Sequence, residues 1–508
     1  MSREYHQAAA PAVLVAALLL SCTADSPGPV IRSVGISPGD SVHFPAINDS
    51  VRLAVSAVDS DGAPVLPGSI QFTTRNPGVA SVSAEGWVRS VGDGSTFVLA
   101  TVDDVSDSVR VTVTQARDSL VVTLAAAGSI VSLAYQQPFP LTCRAFDAAG
   151  GLLPTRPTVT SATGRIVGTD CDSLQVASSG LDTLTLLAPP YQAVVPVAVA
   201  ILPEVLTAYD APVLVDSIPR GSTPWAPTLH RNHLGGWDLY FTAYFKHQYP
   251  VSGQFGDLHR LASQDGRTFR YDGVALRRDP SPCDLQGSGI ENIAIVPRAD
   301  SAGWRMFLSA GSFDCYGWQV FSAVSADQRV WQKEPGVRIP NGGTLPPAEP
   351  ELPPWPAGEG MVIDQLPGGA WRMIASTYEH ITPPENRFQI TEWHSPDQLA
   401  WTYAGPVLTT RQVGALARRS VYSPVIHELA PGLSRMYFTG DNLDVSNGGS
   451  RIFTAVSRDR RTWQVEGPLL DEPDADFFYS TMVDSTLVFI RRDARGRDRL
   501  GSVQVRTR

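Results

Sequence analysis

Short runs of alternating apolar and polar residues recur along most of this chain, and they predict β-strands rather than helices. In VRLAVSAV, which begins at Val51, every second residue is apolar. Turn segments such as SDG, NPG and GDG separate these runs, and a strand with one buried face shows this period of two. With 43 glycines and 41 prolines among 508 residues, the pattern predicts an all-β protein of several domains.

A different pattern opens the chain, where the apolar run AVLVAALLL extends from Ala12 to Leu20. It is too short to span a bilayer but suits an export signal. The following Leu-Ser-Cys, ending at Cys22, resembles the bacterial lipobox, in which cleavage precedes a cysteine that carries lipid. We therefore expect a lipoprotein-type signal peptide over residues 1–22, a lipid anchor at Cys22, a tether over 23–29 and a place in the cell envelope, in the outer membrane or at the cell surface. An ordinary signal peptide with an incidental cysteine is the alternative.

Four further cysteines favour disulfides over a metal site or a nucleophile, because an exported chain with an even number of them forms disulfides. Three pairings are formally open. Separations of 28 and 32 residues favour Cys143 with Cys171 and Cys283 with Cys315. None of them has the spacing of a zinc site.

The sequence pattern of residues 30–202 predicts two β-sandwich domains. The segments ending at Gly62 and starting TTRNPGVASV at Thr73 resemble the bacterial immunoglobulin-like group 2 family, although Arg75 replaces its usual serine. The resemblance implies an immunoglobulin-like sandwich over 30–115. LTCRAFDAAGGLLP from Leu141 repeats LAVSAVDSDGAPVLP from Leu53 after 88 residues, so a second such domain is expected over 116–202. Both are expected to act as a stalk.

A second repeat marks residues 205–508. The motif Ser-x-Asp-x-x-x-aromatic begins at Ser263, Ser325, Ser395 and Ser457, at intervals of 62, 70 and 62 residues. Each copy lies among four predicted strands, as in a propeller blade. With a partial unit from Tyr479, and a closing strand expected from 205–216, the pattern predicts a five-bladed β-propeller. The serine and aspartate are expected to bind backbone N–H groups in a turn.

The motif in this position resembles the five-bladed propeller glycoside hydrolases of family 43 and the related family 32, over about residues 211–508. The resemblance implies two carboxyl groups at the starts of the inner strands, one on each side of a glycosidic bond. The family's base is usually an Asp directly before the first inner-strand Pro, but Ala226 precedes Pro227 here. A rearranged acidic set is therefore expected among Glu291, Glu359, Glu379 and Asp441, with Asp314 as a further candidate.

Aromatic and histidine side chains are predicted to reach the same end of the propeller and to offer platforms for sugar rings. They are Trp225, Tyr244, His247, Phe313, Tyr316, Trp318, Tyr378 and His380. The histidines lack the spacing of metal ligands, so no cofactor is expected, although a metal ion at the propeller axis stays open.

The net charge and the motifs of the chain limit the classes of partner that it is expected to bind. The net charge of −10 gives no basic footprint, so nucleic-acid binding is not expected. A phosphate-binding glycine loop and a nucleophile elbow are not found in the sequence. The sequence predicts a surface protein that binds the membrane through lipid and a polysaccharide or glycan through the propeller, with or without cleaving it. The alternative is a non-catalytic adhesion or scaffold propeller that binds a protein.

Overall fold

A computed structural model describes residues 30–125, 128–206, 213–214, 223–244, 256–277, 290–312, 317–339, 357–380, 387–442 and 449–506. The chain divides into two compact units, one of residues 1–121 with 144–155 and one of 122–143 with 156–508. The predicted signal peptide with Cys22 lies outside the described residues, as do Cys283 and Cys315. Among the described residues, no helix has the length and apolar character needed to cross a membrane.

Residues 30–113 of the first unit contain ten strands: β1 Ile31–Ser37, β2 Ser41–Phe44, β3 Ser50–Arg52, β4 Ala54–Asp59, β5 Pro64–Val65, β6 Gln71–Thr74, β7 Ala80–Val82, β8 Trp87–Ser90, β9 Gly94–Val102 and β10 Val105–Val113. They form the sheets β1-β4-β5, β2-β10-β9-β6 and β3-β8-β7. Strand β10 buries Val109, Val111 and Val113 and exposes Arg110. The period of two that the sequence predicts is therefore seen in the burial.

The next strands are β11 Arg117–Leu124, β12 Ile130–Leu133, β13 Leu141–Asp147, β14 Thr158–Ser161, β15 Ile166–Val167, β16 Gln175–Val176, β17 Gly180–Ala188 and β18 Tyr191–Ile201. Their largest sheet has the order β12-β18-β17-β14, with β12 parallel to β18. A disulfide bond joins Cys143 to Cys171, whose Cα atoms lie 5.9 Å apart. This bond links β13 to the segment before β16.

The remaining strands of the second unit are β19 Glu204–Val205, β20 Val213–Leu214, β21 Thr223–Arg231, β22 Trp237–Tyr244, β23 Leu258–Ser263, β24 Thr268–Leu276, β25 Ile290–Pro297, β26 Trp304–Ser312, β27 Gly317–Ser325, β28 Gln332–Lys333, β29 Ala357–Gln365, β30 Trp371–His380, β31 Arg387–Ser395, β32 Thr402–Leu408, β33 Ser420–Ala430, β34 Leu433–Asp441, β35 Ser450–Ser457, β36 Gln464–Leu470, β37 Asp476–Val483, β38 Thr486–Arg492 and β39 Asp498–Arg506. A short helix α1, Thr410–Val413, and a 3₁₀ turn, Gly414–Ala417, precede β33.

These described strands form five sheets: β20-β24-β23-β22-β21, β25-β26-β27-β28, β29-β30-β31-β32, β33-β34-β35-β36 and β19-β39-β38-β37. We number them one to five. We call β21, β25, β29, β33 and β37 the first strands of sheets one to five, and the strands that follow each of them in the chain the second, third and fourth. Each first strand packs against the first strands of the two neighbouring sheets, and β37 of sheet five packs against β21 of sheet one. The five first strands therefore surround an axis, which is the arrangement of a β-propeller. Strand β19 precedes sheet one in the chain and completes sheet five, which closes the ring.

We name the two ends of the propeller after the strand ends that lie there. The first strands begin and the second strands end at what we call the top face. The first hairpins and the Ser-x-Asp motifs lie at the opposite end, the turn face. Residues that begin a first strand and residues that end a second strand are therefore close neighbours at the top face.

The Ser-x-Asp motifs form the turns between the third and fourth strands of sheets one to four. Asp265 Oδ1 accepts the N–H groups of Arg267 and Thr268, each at 2.8 Å, and Ser263 Oγ accepts that of Gly266 at 2.9 Å. The equivalent aspartate bonds recur at Asp327, Asp397 and Asp459. Backbone N–H bonds hold the pKa of the carboxyl group below its usual value at Asp265, Asp327 and Asp397. The motif thus stabilises a turn, as its sequence predicts.

Strands β12, β17 and β18 pack on the turn face of sheet four. Arg435 donates to the carbonyl oxygen of Ile201 at 2.8 Å and to Glu466 at 2.7 Å, and Ser132 Oγ donates to Glu466 at 2.9 Å. The Arg435 and Glu466 side chains are 0% and 1% exposed. A buried apolar cluster also spans this contact and consists of Ile130, Ala198, Ala200, Leu433 and Val456. Strands β12, β17 and β18 are therefore fixed to the propeller.

Candidate functional site

Each first strand of the propeller has a β-bulge near its start. The bulge residues are Ala226, Asn292, Gly360, Ser423 and Tyr479, whose φ angles lie between 45° and 62°. Pairing with the second strand shifts register around every one of them. A bulge re-aims the side chains beside it, so the five positions form one equivalent ring. They align the five sheets residue by residue.

This alignment changes the interpretation of the predicted acids. Ala226, where the family resemblance places the base, is a bulge residue, and the bulge residues of sheets two and three are an asparagine and a glycine. Glu291 and Glu359 stand one residue earlier, at the position that Trp225 holds in sheet one. The two glutamates are therefore equivalent to Trp225 and not to the expected base.

Glu291 is placed by β25, where its backbone pairs with Ser309 of β26. Its side chain is 0% exposed. Taking a carboxyl group out of water costs several kcal/mol unless the protein compensates it, and a group with no open surface cannot touch a substrate. In this structure Glu291 is a buried carboxyl group.

The same position in sheets four and five holds Tyr422 and Phe478, and Phe478 meets Trp225 near the axis. The ring centroids of Trp225 lie 5.5 Å from Phe478 and 5.0 Å from Tyr479, and Tyr422 lies 5.9 Å from Tyr479. Phe388, from the third strand of sheet three, lies 5.5 Å from Tyr422. We call these five residues the top-face aromatic cluster. Trp225 and Phe388 are half-buried and the other three are buried.

A polar network borders this cluster at the strand ends of sheets four and five. Asp441 lies 3.3 Å from Arg419 and 3.3 Å from Ser450 Oγ. Asp476 accepts the N–H group of the same Ser450 at 3.0 Å, so a single residue contacts both carboxyl groups. Burial raises the pKa of Asp441, although Arg419 and Ser450 act in the opposite direction.

The polar border of the aromatic cluster also includes a cation, Arg492. Arg492, which ends β38, lies with its Cζ atom 4.9 Å from the ring centroid of Phe478. Its Nε donates to Asp498 at 2.7 Å, and its side chain is 37% exposed. A guanidinium group held over a ring and fixed by a carboxylate is a pre-organised donor. The top face therefore combines ring surfaces, carboxyl groups and an oriented cation.

The structure brings Trp225 and Asp441 to this face. Most of the other predicted site residues are described only in their backbone or lie outside the described residues. His247, Phe313, Asp314 and Tyr316 lie outside the described residues. Only the backbone is described for Tyr244, Trp318, Glu359, Tyr378, Glu379 and His380, which belong to β22, β27, β29 and β30.

Sequence reasoning missed Tyr422, Phe478, Asp476 and Arg492. A signal existed for Tyr422, because Tyr-Ser-Pro ending at Pro424 parallels Trp-Ala-Pro ending at Pro227. The others follow only from strand pairing. Within the described ranges, no group of three or more His, Cys, Asp or Glu side chains could hold a metal ion.

No protein-family model matches this chain, and no curated protein matches it. Several solved structures are similar to it. They include a glycoside hydrolase at 12% identity and a TM-score of 0.46, and a thermostable family-43 glycoside hydrolase at 13% and 0.43; each comparison covers 59% of this chain and 92% of the other. A family 43 endo-arabinanase from Bacillus licheniformis is 12% identical, with a TM-score of 0.39, covering 57% of this chain and 96% of the other. The propeller assignment itself rests on the strand pairing described above.

Proposed function

We propose that this chain is an exported carbohydrate-binding protein whose propeller binds a glycan at its top face. The observation that carries the proposal is the top-face aromatic cluster with its border of Asp441 and Arg492. A sugar presents C–H groups on its ring face and hydroxyl groups at its edge, so it needs a ring surface beside fixed hydrogen-bonding groups. The top face offers both.

The five sheets are, in this proposal, the five blades of a propeller related to glycoside hydrolases of families 43 and 32. Support comes from the ring of first strands, from the closing strand β19 and from the Ser-x-Asp turns. The fold by itself does not imply hydrolysis.

Binding without cleavage fits the positions of the acids. Glycoside hydrolysis needs two carboxyl groups that flank the scissile bond. The bulge residues of sheets one to three, Ala226, Asn292 and Gly360, carry none, and Glu291 is fully buried. The usual family mechanism is therefore not proposed for this chain.

One observation favours a second candidate, a hydrolase that uses Asp441 and Asp476. Glycosidases combine a protonated carboxyl group with an ionised one. The raised pKa of Asp441, caused by burial, and a second carboxyl group on the same Ser450 provide the beginnings of such a pair. The Arg419 ion pair opposes protonation of Asp441, which is why binding alone is the first proposal.

The rest of the chain is proposed to display the propeller. Residues 30–115 and 116–202 would be immunoglobulin-like domains, and lipid at Cys22 would anchor the chain in the cell envelope, in the outer membrane or at the cell surface. The sandwich strands pack on the turn face, which leaves the top face on the side away from them. The alternative remains an adhesion or scaffold propeller that binds a protein partner.

The test uses the intact chain against arabinan, xylan, fructan and aryl glycosides, with retention and release of reducing sugar measured on the same samples. Arg492→Ala removes the top-face cation, and Arg506→Ala, at an exposed ion pair, is the matched control. We expect retention without turnover, weakened at least ten-fold by Arg492→Ala only. Turnover that Asp441→Asn abolishes would establish the hydrolase, whereas neither retention nor turnover would leave the protein-binding scaffold.

A further inference from the structure

One sheet of the first unit, formed by β2, β10, β9 and β6, has an open side. Every second residue of β9 and β10 is buried in the core, as Val98 and Val111 are, and the residues between them point the other way. We call this open side the outer face. It consists of every second residue of 41–43, 71–73, 95–101 and 106–112, together with Arg75, which follows β6.

An aromatic ring lies on the outer face between two arginines. Phe97 of β9 is 39% exposed. The Cζ atom of Arg75 lies 5.2 Å from the centroid of the Phe97 ring. On the other side, Arg110 of β10 is the direct pairing partner of Phe97. Neighbouring strands lie about 4.8 Å apart, so the two arginine backbones are about 10 Å apart with the ring between them.

The outer face carries positive charge without negative charge. Both arginines are exposed, and neither makes an ion pair or a side-chain hydrogen bond with a described residue. Asp107 is the one acidic residue in the four strands, and it points to the other side, where its Oδ2 accepts the N–H group of Ile36 at 3.1 Å. Further acids lie only in the turns at the strand ends: Asp40, Asp93, Asp103 and Asp104. In a chain with a net charge of −10, this face is therefore set apart.

The groups on the outer face indicate the chemistry of a partner. An exposed arginine holds a single anion weakly, so a partner with repeated anionic groups, which can reach both arginines, fits better. Serine and threonine fill most of the other positions, and Ser95 Oγ lies 3.2 Å from Thr112 Oγ. Hydroxyl groups both donate and accept, as sugar hydroxyl groups do, and an exposed ring can pack against the C–H groups of a sugar.

Other polyanions fit less well. Phe97 and Leu99 are the only apolar side chains on the outer face, which is little apolar surface to insert into a lipid headgroup layer. Two arginines neutralise few phosphate groups, so they give little affinity for nucleic acid.

We propose that the outer face binds an acidic polysaccharide, with its carboxylate groups at Arg75 and Arg110 and a sugar ring on Phe97. The site belongs to the first compact unit, so it does not rest on the proposed glycan site of the propeller. Arg75 stands where the resembled immunoglobulin-like family usually has serine. The proposed site is therefore a property of this chain, and it adds a binding role to the expected stalk.

Biolayer interferometry of the intact chain with polygalacturonate, and with the same polymer fully methyl-esterified, tests the proposal. The ester keeps the sugar backbone and removes its charge, so we expect saturable binding to the acid form only. Arg75→Gln and Arg110→Gln should each weaken binding about five-fold, and the double variant at least about ten-fold. Arg89→Gln removes the same charge from an exposed position of β8, in another sheet, and is the matched control.

Salt separates the contributions of the charges and the ring. Added salt should weaken binding of the native chain much more than that of the double arginine variant. Phe97→Thr keeps a residue that favours strands, and it should weaken binding without changing the salt dependence. Arg492→Ala, in the propeller, should leave binding of polygalacturonate unchanged, so either proposal can fail while the other stands.

Four results would overturn the proposal. They are no saturable binding of polygalacturonate, equal binding of the ester, an effect of Arg89→Gln as large as that of Arg110→Gln, and preferred binding to phosphatidylglycerol vesicles over the polysaccharide.

Discussion

Burial shifts the pKa of two residues of the propeller, His230 and Asp441. His230 lies on β21, and burial lowers its pKa to about 4, with Asp238 acting in the opposite direction. Asp441 borders the top-face cluster, and burial raises its pKa. In both residues the neutral form is favoured, so both link stability to pH.

The lowered pKa of His230 predicts that the protein loses stability in mild acid. Its folded pKa lies below the unfolded value of about 6.5, so its contribution is complete above that pH and is lost as the pH falls towards 4. From the two pKa values the loss amounts to about 3 kcal/mol. Urea unfolding between pH 7.5 and 4.5 should show a shallower decline for His230→Gln than for the native chain. Equal declines would contradict this.

The raised pKa of Asp441 predicts the opposite dependence of stability on pH. Its folded pKa lies above the unfolded one, so its contribution is present below the unfolded pKa and is lost as the pH rises through the folded pKa. The free energy of unfolding of Asp441→Asn, minus that of the native chain, should therefore increase between pH 3.5 and pH 7. A difference that stays constant or falls would show that the carboxyl group is not destabilised by burial.

At the scale of the element, the Ser-x-Asp turn also joins neighbouring sheets. Its fourth residue has a positive φ at Gln328 and Gln398, and both side chains reach the preceding sheet. Gln398 accepts the N–H group of Ala299 at 3.0 Å and donates to the carbonyl of Pro297 at 2.8 Å. Gln328 accepts the N–H group of His233 at 2.8 Å. The repeat therefore fixes the spacing between sheets.

Replacing Gln398 tests this role. Gln398→Gly keeps the positive φ but leaves the Ala299 N–H group, the Pro297 carbonyl and one bond of buried Arg305 without their partner. We expect the free energy of unfolding to fall by about 2 kcal/mol or more. Leu399→Ser, at the next and partly exposed residue, is the control and should change it by less than about 0.5 kcal/mol. Equal effects would contradict an inter-sheet role.

The elements themselves were largely predictable, because alternation and turn chemistry are local. The motif turns and the disulfide between Cys143 and Cys171 follow from spacing. The bulges do not, because only Gly360 among the five bulge residues has the usual residue for positive φ. Strand pairing imposes that conformation on Ala226 and Tyr479. Without the bulges, the sequence could not show that Glu291 is equivalent to Trp225.

At the scale of the molecule, a buried ion pair in the second unit holds strands β12, β17 and β18 against the propeller. Arg435 of sheet four binds Glu466 and the carbonyl oxygen of Ile201. Ser132 and Gln464 add bonds across the same contact. The sequence predicts the domains, but this contact joins residues far apart in the chain and has no local signal.

Removing one partner of this ion pair is expected to lower the free energy of unfolding by a large amount. Glu466→Gln leaves buried Arg435 without its counter-charge, which should lower the free energy of unfolding by about 3–5 kcal/mol. Glu204→Gln breaks the exposed pair with Arg506 and should cost at most about 1 kcal/mol. Denaturant unfolding of the intact chain measures both. Similar values for the two variants would contradict a buried, structural ion pair.

The central claim is that a glycan binds on the top-face aromatic cluster. The most direct measurement is a crystal structure of the intact chain with the oligosaccharide that it retains best. We predict a sugar ring against Trp225 or Phe388, the two half-buried rings of the cluster, with hydroxyl groups bonded to Asp441 or Arg492, and an uncleaved glycosidic bond. An oligosaccharide that binds on residues 30–202 or on the turn face, while the top face stays empty, would contradict the account.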